Sequence, residues 1–311
     1  MSRLRVGLLS TPTAALGTAH RVGRQVANLL RLAGISVVDL SGSSAHVARA
    51  RALEVRDTLT ALVVVGGDGT VSLGAEVVAG TPVRLGIVPA GSGNDFARAL
   101  GLPEGNPAEA TRSLLHALSR PVTTIDAIEI TTASPKALPH RSLALGNVNL
   151  GFDALVNERA NSASRGHAVR YTTAVLRELS SFRPLPYWIE IDDGERIDVD
   201  ASLVSLCNSG VFGGGMRIVP DARVDDGVLE LVTLTGIGRT RLLRFFPRVF
   251  RGTHTSVDGF TVQPVRKVTV GLRDEQLLRA YADGEPRIPL PLTARVLPGA
   301  VRILADLSRP S

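Results

Sequence analysis

Apolar runs that fit buried strands alternate with helical segments through the first 120 residues, and this alternation restricts the fold more than any other feature. Each run has the length of a strand, and each following segment repeats its apolar residues at a helical spacing. The predicted strands are 4–9, 35–40, 62–65 and 85–88, and the predicted helices are 18–33, 45–58, 70–79, 94–100 and 107–118. Such alternation predicts a parallel, doubly wound α/β sheet that binds ligands at the carboxyl ends of its strands.

The pattern changes at Arg120 and Pro121, after which short strand-like segments dominate. The predicted strands are 122–130, 143–150, 187–191, 203–207, 228–234 and 268–272, with helices near 168–181 and 239–251. This pattern predicts a largely antiparallel, β-rich second domain. A chain of 311 residues exceeds what one core usually organises, so we expect an α/β domain over 1–120 and a β-rich domain over 121–291. The tail, 292–311, begins with a strand-like run and is compatible with a return to the first domain.

Composition restricts the partners. The chain has 35 basic and 29 acidic residues, a net charge of +6, and its only lysines are Lys136 and Lys267. Guanidinium groups suit phosphate, although charge alone does not separate nucleotides, nucleic acids and anionic membranes. Aromatic residues make up only 4% of the chain, which argues against a nucleic-acid stacking surface. A single cysteine, Cys207, excludes an internal disulfide framework and fits a reducing compartment, so we expect a cytoplasmic protein.

The stretch VVVGGDGT, residues 63–70, has the pattern of a phosphate-binding loop with a carboxylate inside it. Its glycines allow backbone amides to approach phosphate oxygens at the start of the next predicted helix. Asp68 would repel a phosphate unless a cation lay between them. We therefore expect Asp68 to act through Mg²⁺ or to orient the reacting groups of a phosphoryl transfer. Taken alone, the stretch also fits a structural turn from strand to helix.

A second glycine-rich loop, PAGSGNDFAR at residues 89–98, follows the next predicted strand and opens another helix. Asn94 or Asp95 is suited to the N-cap of that helix. Because both loops follow neighbouring strands, we expect them to face one crevice. The chain lacks the GxxxxGK[ST] motif, so it is not a P-loop enzyme. Because lysine is nearly absent, backbone amides, arginine and metal must neutralise any bound phosphates.

Five motifs in order resemble the diacylglycerol kinase catalytic domain family, specifically its bacterial lipid kinase branch, which is related to sphingosine kinases and more distantly to NAD kinases. They are GGDGT, PAGSGNDFAR, LGFDA at 150–154, PDA through DDG at 220–227, and DGEP at 283–286. The resemblance spans nearly the whole chain. It implies an ATP-using, Mg²⁺-dependent enzyme with its active site in the cleft between two domains. The acceptor it implies is a hydroxyl of diacylglycerol or a related lipid.

The resemblance also implies a set of nucleotide contacts. Where the family usually has Asn-Pro-x-x-Gly after the first strand, this chain has Thr11-Pro12-Thr13-Ala14, so that turn departs from the family pattern. The implied nucleotide-binding residues are Thr11, Pro12, Thr13, Gly66, Gly67, Asp68, Gly69, Thr70, Gly91, Ser92, Asn94 and Asp95.

A structural Mg²⁺ is implied in the second domain, held by Asp226 and by the backbone carbonyls of Arg223 and Val228. Oxygen ligands of this kind suit a hard cation. From the residues alone, the stretch 225–227 fits a plain hairpin turn equally well. The six histidines show no paired ligand spacing and support no zinc site.

The DGE stretch, Asp283 to Glu285, supplies the carboxylate that the family uses as proton acceptor. A lipid hydroxyl is a weak nucleophile, and a positioned carboxylate can accept its proton during transfer. The resemblance places Glu285 first, with Asp283 as its competitor, and Asp68 completes the catalytic set. Without the other motifs, Asp-Gly would indicate only a hairpin turn with solvated acids.

Residues 239–252, RTRLLRFFPRVFRG, place apolar side chains on one helical face and arginines on the other. A helix packed on the β-rich domain is favoured over a membrane-surface helix, because Pro247 interrupts the pattern. The expected partner is a lipid substrate at the membrane surface, with peripheral contact at the inner face and no nucleic acid. A homodimer is compatible with the sequence.

The residues alone are also compatible with two other functions. An NAD kinase shares GGDGT, although the second loop with its GNDFAR stretch argues against it. A catalytically silent lipid- or nucleotide-binding regulator is compatible with the atypical turn at Thr11. Turnover distinguishes the regulator from either kinase.

Overall fold

The computed structural model describes residues 4–11, 18–135, 137–151, 183–238, 241 and 248–307. Contacts between backbone positions divide the chain into two compact units. The first unit comprises 1–125 and 299–311, and the second comprises 126–298.

The first unit is an α/β domain with a parallel sheet, as the alternation of apolar runs predicts. Its strands follow the order β2-β1-β3-β4, with the end of β17 beside β4, and each neighbouring pair is parallel. The elements are β1 (Arg5–Ser10), α1 (Thr18–Leu32), β2 (Ser36–Asp39), α2 (Ala45–Val55), a 3-10 turn (Arg56–Thr58), β3 (Ala61–Gly66), α3 (Asp68–Val78), β4 (Arg84–Pro89), α4 (Asp95–Ala99), α5 (Pro107–Leu118) and β17 (Leu292–Ile303). The strand order reverses between β1 and β3, where α/β sheets usually bind their ligands.

Burial explains why the sequence pattern predicts this sheet well. All six residues of β3 are buried, as expected for a central parallel strand with both faces covered. Helix α3 packs closely against β3 at Gly74, where a Cβ would lie only 2.6 Å from Val64 Cγ1. Helix α1 buries Val26 and Leu30 completely. This packing holds the loop between β3 and α3 in place against the buried sheet.

The second unit is mostly antiparallel β structure, as predicted. Its neighbouring strands follow the order β16-β15-β7-β9-β8-β14-β17, while β12 joins β9 to β13, and β5 pairs with β6 and β17. The remaining strands are β5 (Thr123–Thr132), β6 (Arg141–Ala144), β7 (Asn147–Asn149), β8 (Leu185–Ile191), β9 (Arg196–Cys207), β10 (Val211–Phe212), β11 (Met216–Arg217), β12 (Leu229–Thr235), β13 (Phe260–Val265), β14 (Lys267–Leu272), β15 (Arg279–Ala282) and β16 (Glu285–Pro289). Cys207 is buried in an apolar cluster with Phe212 and Val232.

The second unit differs from the sequence pattern in several places, and strands β10, β11, β15 and β16 were not among the predicted strands. The single strand predicted over 143–150 is two strands, because the amides of Leu145, Gly146 and Asn147 donate to the Asp283 carboxylate. Strand β13 was not predicted, since four of its six residues are exposed and show no alternation. The predicted helix 168–181 and most of the predicted helix 239–251 lie outside the described residues.

No helix within the described ranges is both long enough and apolar enough to cross a membrane.

Candidate active site

The first glycine-rich loop joins β3 to α3, as the sequence predicts, and α3 begins two residues earlier than predicted. Gly67 is the N-cap residue, and Asp68 is the first residue of the helix. A Cβ at Gly66 would lie 2.4 Å from the Thr70 hydroxyl oxygen, so only glycine fits the turn. The Thr70 hydroxyl lies 3.5 Å from that of Thr11, and both residues are buried. The end of β1 therefore lies against this loop, whereas Pro12 and Thr13 lie outside the described residues.

The second loop follows β4 and is closed by Asn94, which adopts a left-handed backbone conformation with φ 55°. Its side-chain oxygen accepts a hydrogen bond from the Gly91 amide at 2.8 Å, and its side-chain nitrogen donates to the Gly91 carbonyl at 3.1 Å. Asn94 occupies the N-cap position of α4, but its side chain makes no capping bond to that helix. The sequence correctly indicates Asn94 as an N-cap position. Its side chain stabilises the loop through Gly91 and does not cap the helix.

The carboxylate of Asp68 takes the capping role at α4. Its Oδ2 accepts a hydrogen bond from the Asp95 amide at 3.2 Å, and its Oδ1 accepts one from the Phe96 amide at 3.0 Å. A Cβ at Gly93 would lie 3.0 Å from Asp68 Oδ2. The negative charge that is anomalous in a phosphate-binding loop thus faces backbone N–H donors of the neighbouring loop.

The two loops also touch through their backbones. A Cβ at Gly91 would lie 2.4 Å from the Gly67 Cα, a distance that no side chain permits. The Ala90 amide donates to the Gly66 carbonyl at 2.9 Å. Backbone contact and the Asp68 carboxylate therefore join the loops into one structure, called the double loop below (residues 66–70 and 89–96).

Several amides of the double loop remain open to a ligand. The N–H groups of Gly69, Ser92 and Gly93 have no hydrogen-bond acceptor in the part of the chain that the structure describes. The amides of Asp95 and Phe96, by contrast, already donate to Asp68. An anion at the double loop would therefore bind to the amides of Gly69, Ser92 and Gly93 rather than to those at the start of α4.

The Arg98 side chain stabilises the second loop through hydrogen bonds. Its guanidinium group donates to Asp95 Oδ1 at 2.7 Å, to the Gly93 carbonyl at 3.0 Å and to Glu104 Oε2 at 3.0 Å. These three acceptors largely satisfy the group, so Arg98 holds the loop in shape.

The DGE stretch forms the two-residue turn between β15 and β16. Asp283 and Gly284 have φ values of 51° and 79°, as a tight hairpin turn requires. The Asp283 carboxylate accepts three backbone hydrogen bonds, from Leu145 at 2.9 Å, Gly146 at 2.9 Å and Asn147 at 3.1 Å. Both carboxylate oxygens are thus engaged, and the turn is fixed against the segment between β6 and β7.

Glu285 has a different environment although it lies only two residues away. Its side chain has no hydrogen-bond or ion-pair partner among the described residues, and the residue as a whole is exposed. Burial of the carboxyl group by surrounding protein atoms raises its pKa, the Arg287 guanidinium lowers that pKa, and the Asp283 carboxylate raises it. Hairpin geometry and open lone pairs therefore favour Glu285 over Asp283 as the group that accepts a proton.

The Asp226 turn lies between the 220–223 segment and β12. The Val228 amide donates to Asp226 Oδ1 at 3.2 Å, and the Gly227 amide donates to the buried Asp126 at 2.7 Å. Burial raises the pKa of Glu230, and repulsion from Asp226 raises it further. A hard cation would relieve this repulsion, so the oxygen-rich turn fits Mg²⁺. Within the described residues, however, no three His, Cys, Asp or Glu side chains lie together as a metal-binding group.

Sequence reasoning missed Asp126. It is an acid inside an apolar strand, TTIDAIEI, and its burial is the signal that a partner must exist. Arg223, whose carbonyl the resemblance implicates, uses its side chain to contact Asp225 at 3.3 Å.

We expect Asp226→Ala to lower the melting temperature and to remove the part of it that depends on Mg²⁺, measured by thermal unfolding without nucleotide. The reason is that a cation bound only to the folded state stabilises that state. Asp225→Ala is the matched control, since the carboxylate of this neighbouring acid forms an ion pair with the Arg223 guanidinium. If Mg²⁺ still raises the melting temperature of Asp226→Ala as much as that of the parent, the stretch is only a hairpin.

Comparison with known protein families agrees with the motif order. Residues 5–127 match the model of the diacylglycerol kinase catalytic domain, and residues 146–305 match that of the YegS C-terminal NAD kinase beta sandwich-like domain. The motif resemblance seen in the sequence is thereby confirmed.

Individual proteins give the same result. The chain is 36% identical over 302 residues to the diacylglycerol kinase of Mycobacterium tuberculosis, covering 96% of this chain and 94% of that protein. It is 28% identical over 254 residues to the diacylglycerol kinase of Bacillus subtilis, covering 79% and 76%. Both relatives carry the name of a lipid kinase.

Solved structures show the fold. A diacylglycerol kinase structure from Bacillus anthracis superposes with a TM-score of 0.75 at 20% identity, covering 98% of each chain. Yeast NADH kinase in complex with NADH superposes with a TM-score of 0.55 at 10% identity, covering 97% of this chain and 82% of that one. At these identities the likeness concerns architecture alone.

Proposed function

Because the chain belongs to the diacylglycerol kinase family, we propose that it transfers the γ-phosphoryl group of ATP to a hydroxyl of diacylglycerol or a related lipid. One observation carries the phosphoryl chemistry: the double loop joins two glycine-rich turns, and among the described residues the amides of Gly69, Ser92 and Gly93 have no acceptor. The lipid acceptor rests on the names of the relatives.

The double loop would hold the phosphates of ATP. Its open amides would donate hydrogen bonds to phosphate oxygens, and the glycines at 66, 67 and 91 allow close backbone approach. Asp68, Asn94 and Asp95 keep the loops in this shape through hydrogen bonds. Bound to the nucleotide, Mg²⁺ would neutralise charge on the phosphate oxygens. Both Asp68 oxygens already accept hydrogen bonds from the Asp95 and Phe96 amides. The hydroxyls of Thr11 and Thr70 line the start of this structure.

Glu285 would accept the proton of the lipid hydroxyl. As the hydroxyl oxygen bonds to the γ-phosphorus, the bond from phosphorus to the β,γ-bridging oxygen breaks and ADP leaves with those electrons. Asp283 acts as a positioning residue, since its three amide contacts fix the hairpin that carries Glu285. We expect direct transfer without a phosphoenzyme.

The proposed lipid substrate determines the cellular location and the partners that we expect for the enzyme. We propose a cytoplasmic enzyme that meets its lipid at the inner membrane face through peripheral contact, does not bind nucleic acid, and is compatible with a homodimer. The structural Mg²⁺ at Asp226, with the carbonyls of Arg223 and Val228, completes the proposal.

The function is tested by incubating the pure protein with radiolabelled ATP, Mg²⁺ and separate lipids, with NAD in a parallel reaction. The lipids are diacylglycerol, monoacylglycerol and sphingosine. We expect label in the organic phase as phosphatidic acid or a related phospholipid, and a labelling rate at least about 10²-fold lower with Glu285→Gln. Label on NAD alone would identify an NAD kinase instead. No label on any acceptor, together with nucleotide binding, would identify a silent regulator.

A further inference from the structure

The segment of residues 145–147, which holds the Asp283 carboxylate, is itself held by the residues that follow β9. The amides of Asn208 and Ser209 donate to the Gly146 carbonyl at 2.8 Å and 3.1 Å. The three amides of the segment, in turn, donate to Asp283. The position of the Asp283 carboxylate therefore depends on a remote part of the chain, the end of β9.

The side chain of Asn208 makes a second connection to this segment. Asn208 is 1% exposed, and its Nδ2 donates to the Leu145 carbonyl at 2.7 Å and to the Asp126 carbonyl at 3.3 Å. In the part of the chain that the structure describes, no other group donates to the Leu145 carbonyl. One buried amide group thus links the 145–147 segment to strand β5.

Asparagine suits this position because the link needs two hydrogens on a short side chain. The Nδ2 of asparagine carries two, whereas a serine hydroxyl carries one and an ionised aspartate carries none. The Oδ1 of Asn208 is buried and has no hydrogen-bond partner among the described residues, so the two carbonyls orient the amide group. An oxygen buried without a donor is costly, which indicates that the two contacts made by Nδ2 are needed.

The space around Gly146 is filled on account of these contacts. A Cβ at this residue would lie 2.8 Å from Asp283 Oδ1 and 3.3 Å from the Ser209 hydroxyl oxygen. The Asp283 carboxylate and the chain after β9 therefore both lie directly against the 145–147 segment. In such close packing, a displacement of the segment would also displace Asp283.

Strand β16, which begins at Glu285, depends on the Asp283 carboxylate for its position. It is the last strand in the order β16-β15-β7, and among the described residues it pairs only with β15. The register of this pair is irregular between Arg279 and Tyr281, so the pairs nearest Glu285 are those next to the turn. The turn that Asp283 fixes is thus the main constraint on Glu285.

We propose that Asn208 is a positioning residue, which keeps the proposed base Glu285 in place through the 145–147 segment and the Asp283 turn. The inference rests on the proposed function for the role of Glu285 alone. The contacts from Asn208 to Leu145, and from Leu145 to Asp283, are made without any substrate.

The first test is amide hydrogen exchange, measured by NMR on the full chain without nucleotide or lipid. Asn208→Ala removes both side-chain hydrogens and leaves the Leu145 carbonyl without a donor, so the amides of residues 145–147 should exchange about tenfold faster. Asn149→Ala is the matched control. Asn149 is also a buried asparagine, in strand β7, and its Oδ1 has no hydrogen-bond partner among the described residues. We expect this control to leave the exchange of residues 145–147 unchanged.

The second test is the titration of the Glu285 carboxyl group, followed by carbon NMR, which a merely structural role of Asn208 would not change. Burial raises the pKa of Glu285, and the charged groups that also affect it, Arg287 and Asp283, lie on the same hairpin. A loosened hairpin should admit water to the carboxyl group. We therefore expect Asn208→Ala to lower this pKa toward the ordinary value of glutamate, and Asn149→Ala to keep the pKa of the parent.

Steady-state kinetics with diacylglycerol and ATP provides the third readout. In Asn208→Ala, kcat should fall about tenfold with little change in the KM for ATP, because the base is misplaced while the double loop is intact. Asn208→Ser, which keeps one hydroxyl donor, should show smaller changes in the same direction in all three measurements. It also provides the decisive variant if Asn208→Ala does not fold.

Three outcomes distinguish this role from the alternatives. Unchanged exchange of residues 145–147 in the folded Asn208 variant, or an equal change in Asn149→Ala, would overturn the proposal. Faster exchange with an unchanged Glu285 pKa and an unchanged kcat would overturn it too, since Asn208 would then only stabilise the segment. If exchange and titration change as expected but even the parent phosphorylates no lipid, the proposed function fails while the positioning of Glu285 by Asn208 stands.

Discussion

Glu285→Gln is expected to lower kcat by a factor of about 10² to 10⁴, the usual contribution of a positioned general base. The KM for ATP should change little, because Glu285 lies on the β15–β16 hairpin and not on the double loop. Glutamine keeps the size of the side chain but cannot accept the proton of a lipid hydroxyl. Steady-state kinetics with diacylglycerol and ATP varied in turn provides the measurement.

The pH profile gives the same prediction a second readout. Burial holds the pKa of Glu285 above the usual range for glutamate, and only the deprotonated form accepts a proton. The parent should therefore lose activity as pH falls through this raised pKa, at a higher pH than an ordinary glutamate would cause. The residual activity of Glu285→Gln should lack this acidic limb.

Asp283→Asn is the matched comparison for Glu285→Gln. The Asp283 carboxylate accepts three amide hydrogen bonds, and an asparagine nitrogen would turn a donor toward backbone N–H groups. We expect a lower melting temperature together with a lower rate, as a loosened hairpin requires. If Asp283→Asn instead lowers kcat alone, and Glu285→Gln keeps near-normal turnover, the two roles must be exchanged.

The sequence indicates most of the first unit because its local and long-range signals agree. Strand β3 is buried on both faces, so its residues are apolar without interruption, and glycines follow where the chain must turn. Helix α5 has a proline at its start and Asn106 as its cap, and its predicted bounds match those observed. Such signals lie within a few neighbouring residues and can be read without a structure.

Contacts between distant residues account for what the sequence did not reveal. Asp68 and Phe96 are 28 positions apart, so the capping of α4 by this carboxylate has no local pattern. Asp283 interrupts the strand predicted over 143–150 from more than 130 positions away. In both cases one carboxylate satisfies several amides of a remote segment. Glycine and aspartate at a turn indicate a site, but their partners depend on the fold.

Asp68→Asn is expected to lower phosphoryl transfer by at least about 10²-fold while the overall fold is kept. Asparagine retains one acceptor oxygen and places an NH₂ group against a backbone N–H that needs an acceptor. A buried donor left unsatisfied costs about 1–3 kcal/mol, which is enough to release a helix of only five residues. Turnover with saturating lipid, and the melting temperature, measure these two expectations.

Two explanations of such a loss can be separated on this one variant. If Asp68 acts by joining the loops, Asp68→Asn should raise the KM for ATP and speed the hydrogen exchange of amides in residues 91–98, with the Mg²⁺ requirement unchanged. If it acts through the nucleotide's Mg²⁺, the exchange should stay slow and the Mg²⁺ concentration needed for half-maximal rate should rise. Asp57→Asn, on the exposed 3-10 turn after α2, controls for the change of charge. Because both oxygens of Asp68 already accept amide hydrogen bonds, we expect the first result. Near-normal turnover by Asp68→Asn would contradict both explanations.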